Sequence, residues 1–382
     1  MVSTNHVDTV WRMVSRDLAS RSSTVKGSWY LKPTTHVFFT SLVLSILGLV
    51  FVFEASVAEA FSLRGDPYHF VKLQGIRFII GWIALLGAVS IPSWVWHKCA
   101  PFLYGLGIML LVLVFIPGFG REINGAYRWI FIGGFALQPI EVVKFGLITF
   151  YSSWMSKHQR LLPFVALTVI PMILVMLQPD LGSTLIMLAI AFGLYFVAGG
   201  NLSHFLGISL IGIIIVSGLI ATSPYRLRRV TTFLNPDSDP LGASFHIRQI
   251  TLALGNGGVL GEGIGNSRQK FSYIPEASTD SIFAIVAEEI GFVGSLGIMS
   301  LFLWWIWNAY KIVRNQHKNI FNQLLGWGIL IWISTQTILN IGAVVALIPL
   351  TGVPLPFFSY GGSSLVMILL ATGVLLRTAK TP

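Results

Sequence analysis

The chain has 382 residues, of which 54% are hydrophobic and only 10% charged, with a formal net charge of +10. A soluble domain carries roughly 25% charged residues, so this composition, with a mean hydropathy of +0.76, excludes a soluble enzyme and points to an all-α polytopic membrane protein. The cations gather in tails and loops between apolar runs, where they set topology or meet anionic lipid, so no nucleic-acid partner is expected; one cysteine, Cys99, and eight scattered histidines without an HExxH pattern offer neither a disulfide framework nor a zinc site.

Residues 1–35 are polar and mixed, with no cleavable signal ahead of the first apolar run. Val7, Val10, Trp11, Val14 and Leu18 fall at helical spacing among Arg12, Arg16, Arg21, Lys26 and Lys32. Two readings stand side by side: a short helix lying on a membrane surface, or a tail with a chance pattern. A helix needs about 20 apolar residues to cross a bilayer, and ten such runs follow, at 36–56, 70–91, 100–117, 138–156, 161–178, 181–199, 203–222, 281–310, 321–346 and 361–377. Ten is even, so both termini lie on one side, and 378–382 forms a short tail there. If the N-terminus is cytoplasmic, the inside holds the tail cations with Lys98, Lys157, Arg160, Lys311, Arg314, Lys318, Arg377 and Lys380. The short outside loops then hold only Arg64, Arg121 and Arg128, an asymmetry that favours both ends inside.

Two segments on the outer side stand out. One is 118–137, which carries NGAYRWIFIGGFALQ; the other is 223–280, too long for a passive connection, with turn signals in NPDSDP and an expected short helix around 244–254. It ends in GNGGVLGEGIGNSRQKFSYIPEASTDSIFAIVAEEIGFVG, where polar chemistry meets the start of an apolar run. Asp280 sits at that junction, as a helix cap or as a general base at the mouth of a cavity. Glu288 and Glu289 follow about 12 Å along the helix at 1.5 Å per residue; carboxylates inside a span mark a site or a buried ion pair, and their angular separation lets at most one share Asp280's cavity. Glu141 and Lys144 share a helix face as an ion pair or as part of an anionic head-group site, and Asp180 opens another run as a cap or a site residue.

Arg226, Arg228, Arg229, Arg248, Arg268 and Lys270 make the long loop basic; each alone reads as solvated charge, and together they suit a diphosphate. The glycines from Gly255 to Gly265 do not form a nucleotide loop, because helix rather than strand precedes them and no GK[ST] follows. They are expected to turn the backbone tightly beneath a ligand. IPLTGVPLPFFSYGGSS interrupts the last two runs with prolines and glycines, a break tolerated at membrane depth where it lines a cavity or is buried in protein; Ser359, Ser363 and Ser364 offer hydroxyls there.

NGAYRWI…QPIEVVK, LQPDLGST, the long basic loop, GNSRQKFSYIPEASTDSIFAIVAEEIGFVG and TGVPLPFFSYGGSS, in that order, resemble the shape, elongation, division and sporulation (SEDS) family of FtsW, RodA and SpoVE across residues 36–377. GIGNSRQKF is similar to the FtsW/SpoVE branch. The resemblance implies about ten transmembrane helices with a large extracytoplasmic loop between the seventh and eighth. It implies a peptidoglycan glycosyltransferase that polymerises lipid II, the undecaprenyl-diphosphate-linked disaccharide peptide, in the bacterial cytoplasmic membrane during cell division. The implied partners are a class B penicillin-binding transpeptidase and other division membrane proteins.

The family's essential aspartate falls on Asp280, and its QPSE…K motif on Gln138, Pro139, Glu141 and Lys144, with Ile140 in place of the serine. The histidine and phenylalanine usual around that aspartate are Ser278 and Ser281. The implied chemistry is an inverting transfer with Asp280 as base. Loop arginines hold the leaving charge, with no certain cofactor and a divalent cation, Mg2+ or Mn2+, as a candidate helper. A lipid II flippase or another carrier, using Glu141, Lys144, Glu288 and Glu289, is the rival class; a scaffold for division proteins is the third.

Overall fold

The computed structural model describes residues 32–379, apart from 124, 133–134, 158–159, much of 202–223, 236–243, 271–276 and 317–318. The expected surface helix of the N-terminal tail lies outside the described residues, and so does most of the seventh apolar run. Eleven helices and three short strands are described. They are α1 (Pro33–Arg64), α2 (His69–Ser90), α3 (Ser93–Leu113), β1 (Gly120–Ile123), β2 (Ala126–Ile132), β3 (Phe135–Leu137), α4 (Pro139–Met155), α5 (Leu161–Leu177), α6 (Leu181–Val197), α7 (Pro224–Leu234), α8 (Phe245–Gly257), α9 (Ile282–Arg314), α10 (Ile320–Val344) and α11 (Gly362–Thr378).

The long apolar helices follow the apolar runs, and local chemistry sets their ends. Pro33 and Pro139 open α1 and α4 at positions where a missing N–H costs nothing. Arg64, Lys311, Arg314 and Arg377 fall in last turns, where the helix dipole favours cations. Five helices, α1, α2, α3, α9 and α10, are long and apolar enough to cross a membrane; α5, α6 and α11 are shorter apolar helices.

In α9 and α10, 61% and 67% of the most apolar stretch is buried, against 22% and 17% in α2 and α3. The first pair therefore forms the centre of the bundle and the second its rim. α2 packs on α11, α3 on α4, α1 on α9 and α6 on α10. A side chain at Gly373 would collide with the Leu85 carbonyl, so α2 and α11 meet backbone to backbone.

The all-helical expectation fails at one place. The strands β1, β2 and β3 form a three-stranded antiparallel sheet, with Ile130 opposite both Gly120 on β1 and Leu137 on β3. Aromatic and β-branched enrichment in AYRWIFI carries that signal. The long segment after α6 also holds α7, which hydropathy alone does not reveal, and α8, which matches the helix expected around 244–254.

The glycine-rich run has a different role from the one its composition suggests. α9 is broken at Gly291, whose φ of 65° and ψ of −168° leave the helical region. The break frees carbonyls before it and N–H groups after it. The run closes over this gap: Glu262 N donates to Glu288 O (3.0 Å) and Gly263 N to Glu289 O (3.0 Å), while Phe292 N and Val293 N donate to Gly258 O (3.0 Å) and Val259 O (3.1 Å). An added Cβ at Gly291 would collide with Gly261 N, so the two glycines let the backbones meet. The turns lie against a helix break, which is how a broken helix keeps its backbone satisfied in an apolar bundle.

Candidate functional site

The N-termini of α4, α6, α9 and α11 converge at one end of the bundle. Gln138 N, ahead of α4, donates to Ser363 Oγ on α11 (2.9 Å). Arg128 on β2 donates from Nε to Gln178 O (3.0 Å) and from Nη2 to Pro179 O (2.5 Å), just ahead of α6. Tyr360 N donates to Ser278 O (2.8 Å), and Asn340 Nδ2 to Asp280 O and Val353 O (both 2.7 Å). The segment ahead of α9 is thus tied to α10 and to the irregular segment 345–361.

Two hollows open at this end, and Asp280 and Arg229 line both. The larger, about 850 Å³, is bounded by Arg77, Arg128, Trp129, Gln138 and Tyr360 among others. The smaller, about 250 Å³, lies between α7, α8 and Asp280, with Arg228, Phe233, His246 and Leu350 in its wall. Arg229 Nη1 donates to Leu350 O (2.9 Å). A Cβ on Gly352 would sit 3.8 Å from Asp280 Oδ2 and 3.9 Å from Arg229 Nη1, so carboxylate and guanidinium flank the same glycine. Thr279 Oγ1 and Ser281 Oγ lie 3.4 and 3.5 Å from Asp280 Oδ1. Ser281, not Asp280, takes the N-cap position of α9, with no side-chain capping bond. Asp280 is the one carboxylate lining either hollow among the described residues. A Mg2+ or Mn2+ ion at either hollow would therefore have Asp280 as its one carboxylate ligand from these walls, and no cluster of three or more His, Cys, Asp or Glu is arranged to hold a metal among the described residues.

Most of the other residues singled out in the sequence lie away from the hollows, and most of their polar atoms are held by the fold. Lys270 is buried and ion-paired with Glu54 (3.1 Å) and Glu289 (3.4 Å), and it donates to Gly265 O (2.6 Å). Glu288 is buried and accepts from Ser267 Oγ, from Arg268 N (3.3 Å) and from Gln269 N (3.4 Å); the Arg268 side chain is exposed. Glu141 and Lys144 form a buried pair at 2.8 Å. Asp180 is a helix cap, accepting from Ser183 N (3.0 Å) and Ser183 Oγ (2.8 Å). Ser359 Oγ accepts from Leu355 N (2.8 Å), and Ser363 Oγ holds Gln138. Arg226 belongs to α7, and its side chain lies outside the described residues. Of the residues the sequence singled out, Asp280 and Arg229 line both hollows, Arg228 the smaller, and Gln138 and Ser364 the larger.

Sequence reasoning missed His246 and Arg77. His246 on α8 shares a hydrogen bond with Ser281 Oγ (2.8 Å) beside Asp280, a pairing no local pattern signals. Arg77 lies about two turns inside an apolar run that also carries Lys72 near its start, and a cation at that depth is a recognised mark of function. Burial, with a smaller contribution from Arg229, pushes His246 down to about 4. Its folded-state value lies below the ordinary 6.5, so the stability it contributes is complete above that pH and drains away as pH falls toward 4. Thermal unfolding followed from pH 7.5 to 4.5 should show the parent losing up to ~3 kcal/mol more than His246→Gln, which has no proton to take up.

A family model described as "Cell cycle protein" (FTSW_RODA_SPOVE) matches residues 34–381. Stage V sporulation protein E of Bacillus subtilis (strain 168) is 39% identical over 348 residues, covering 89% of this chain and 95% of that protein. The probable peptidoglycan glycosyltransferase FtsW of Aeromonas salmonicida (strain A449) is 38% identical over 352 residues, covering 88% of each. Among solved structures, a chain from work on "Structural coordination of polymerization and crosslinking by a peptidoglycan synthase complex" matches with a TM-score of 0.73 at 27% identity, over 90% of this chain and 96% of that one. The rod shape determining protein RodA of Thermus thermophilus matches with a TM-score of 0.66 at 26% identity, over 90% and 95%.

Proposed function

The chain belongs to the FtsW/RodA/SpoVE family, and from that premise we propose that it is a peptidoglycan glycosyltransferase that polymerises lipid II at the outer face of the bacterial cytoplasmic membrane during cell division. The observation that carries this reading is Asp280 on the rim shared by two hollows, beside Arg229. A glycan polymerase must bring an acceptor hydroxyl and a donor anomeric carbon to one base. The Asp280 carboxylate takes the proton of the acceptor sugar's 4-hydroxyl. That oxygen forms the new bond to the anomeric carbon from the face opposite the leaving group, while the bond to the lipid diphosphate breaks and its electron pair leaves with the diphosphate. The configuration inverts, no covalent intermediate forms, and one carboxylate suffices because a diphosphate leaves without an acid. Arginine at the hollows stabilises the leaving charge.

The same reading takes ten spans, both termini cytoplasmic and segment 223–280 outside; the cation asymmetry of the short loops supports it. It takes a class B penicillin-binding transpeptidase as partner. The solved relative described as part of a peptidoglycan synthase complex supports that. The test is the purified protein, alone and with its transpeptidase, given lipid II. Glycan polymer resolved on a gel is the expected result. Lipid II crossing liposome walls with no polymer formed in either arm would replace this reading with a carrier.

A further inference from the structure

We propose that Arg77 is the anion-holding residue of the larger hollow and that it takes the diphosphate of the lipid-linked donor. This deepens the glycosyltransferase reading and rests on it. Arg77 lies on α2 among apolar neighbours and lines the larger hollow. Its guanidinium stacks over the Tyr360 ring at 4.7 Å. A Cβ on Gly362 would fall 2.9 Å from its Nε, so it presses on the first turn of α11. Nη1 is sealed from solvent and has no hydrogen-bond partner, and no carboxylate pairs with Arg77 among the described residues.

This arrangement is electrostatically incomplete. The N-terminus of a helix carries roughly half a positive charge on its free N–H groups, and Gly361, the N-cap of α11, makes no side-chain capping bond. A guanidinium set against that end places positive charge on positive charge. Arg77 as a whole is half-buried, but a cation with a sealed, unpaired N–H is costly, and the missing partner here is an anion. The two other arginines of the hollow are engaged: Arg128 with two carbonyls ahead of α6, and Arg229 with Leu350 O. Arg77, the N–H groups of α11 and the Ser364 hydroxyl thus converge on a space of about 850 Å³. A phosphate at a helix N-terminus beside a guanidinium is a recurrent binding mode. Aromatic walls from Phe70, Trp129 and Phe131 favour an anion attached to sugar or lipid over a free one. In the reaction, Arg77 receives the negative charge that grows on the diphosphate as the anomeric bond breaks, while Asp280 keeps the acceptor's proton.

The test uses the full chain in nanodiscs, with undecaprenyl diphosphate and inorganic diphosphate as separate probes. Arg77→Gln should weaken undecaprenyl diphosphate binding about 10-fold or more, the effect of losing a charge-assisted hydrogen bond. Arg77→Lys, which keeps the charge without the planar fork, should fall between. Without ligand, Arg77→Gln should unfold at the parent's temperature or above it, because the conflict with α11 is relieved; a merely structural Arg77 predicts a fall. Parent-like undecaprenyl diphosphate affinity in both Arg77 variants overturns the proposal. So does inorganic diphosphate binding as tightly as the lipid-linked form. Should Arg77→Gln fail to fold, Arg77→Lys decides: unchanged affinity overturns the proposal and a several-fold loss upholds it. A parent that binds undecaprenyl diphosphate through Arg77 yet makes no polymer would remove the glycosyltransferase reading and leave the site.

Discussion

Asp280→Asn lowers the rate of glycan polymerisation from lipid II by about 100- to 10,000-fold, the range a positioned general base supplies. The amide keeps the size and planarity of the carboxylate and can still meet the hydroxyls of Thr279 and Ser281 near Oδ1. It removes the one property at issue, the ability to take a proton. The fold should hardly notice. Asp280 is half-buried, and its anchor to α10 is its backbone carbonyl, which accepts from Asn340; asparagine has the same carbonyl. Thermal unfolding should move by less than about 1 kcal/mol, because the backbone anchor is kept and the amide oxygen can accept where Oδ1 did. Asp280→Glu supplies the second arm. It retains the base and moves it by about one bond, and a displacement near 1 Å costs about 100-fold in a positioned reaction. Gel-resolved product from lipid II, with a fluorescent acceptor, reads both. Near-parental rates in the asparagine variant would exclude Asp280 as the base.

The sequence makes the helices legible because a lipid-facing helix must be apolar along its whole length, and the ends of α4, α5, α6 and α11 fall within about two residues of the apolar runs. Asp280 was legible too, as a carboxylate at the junction of polar loop and apolar helix. The partners of the other charges were not. Lys270 looks like loop charge until Glu54, 216 residues away, is brought beside it. Glu288 looks like an intramembrane site until Ser267 and two backbone N–H groups of the same turn satisfy it. The glycines of 255–265 answer to a break at Gly291 that hydropathy does not register, since Gly291 lies within an otherwise continuous apolar helix. Each of these pairings crosses a turn or the whole bundle, and periodicity speaks only of neighbours along one element. Arg77 is different. Its signal was local, and its neighbours at α11 give that signal a meaning.

Lys144→Met and Glu141→Leu should each destabilise the protein by about 3–5 kcal/mol, and the double variant should recover most of that loss. The pair is buried, with about 1% of each residue exposed. Lys144 Nζ donates to Glu141 Oε1 (2.8 Å) and to Gln336 Oε1 (3.0 Å), and it stands 4.9 Å over the Trp332 ring. Removing one member leaves the other as an uncompensated charge in an apolar bundle. Removing both exchanges two desolvated ions for packed methylenes. Lys144→Met should be the worse single change, because Gln336 also accepts from Trp332 Nε1 (2.8 Å) and donates to Pro354 O (2.9 Å). That chain runs from α4 through α10 to the irregular segment walling the larger hollow, so a loosened Gln336 reaches the site. Unfolding of the two singles and the double in one detergent closes the cycle. Additive losses in the double would mean the two charges do not support each other. A Lys144→Met variant as stable as its parent, yet unable to bind lipid II, would return the pair to the substrate-binding role its motif implies.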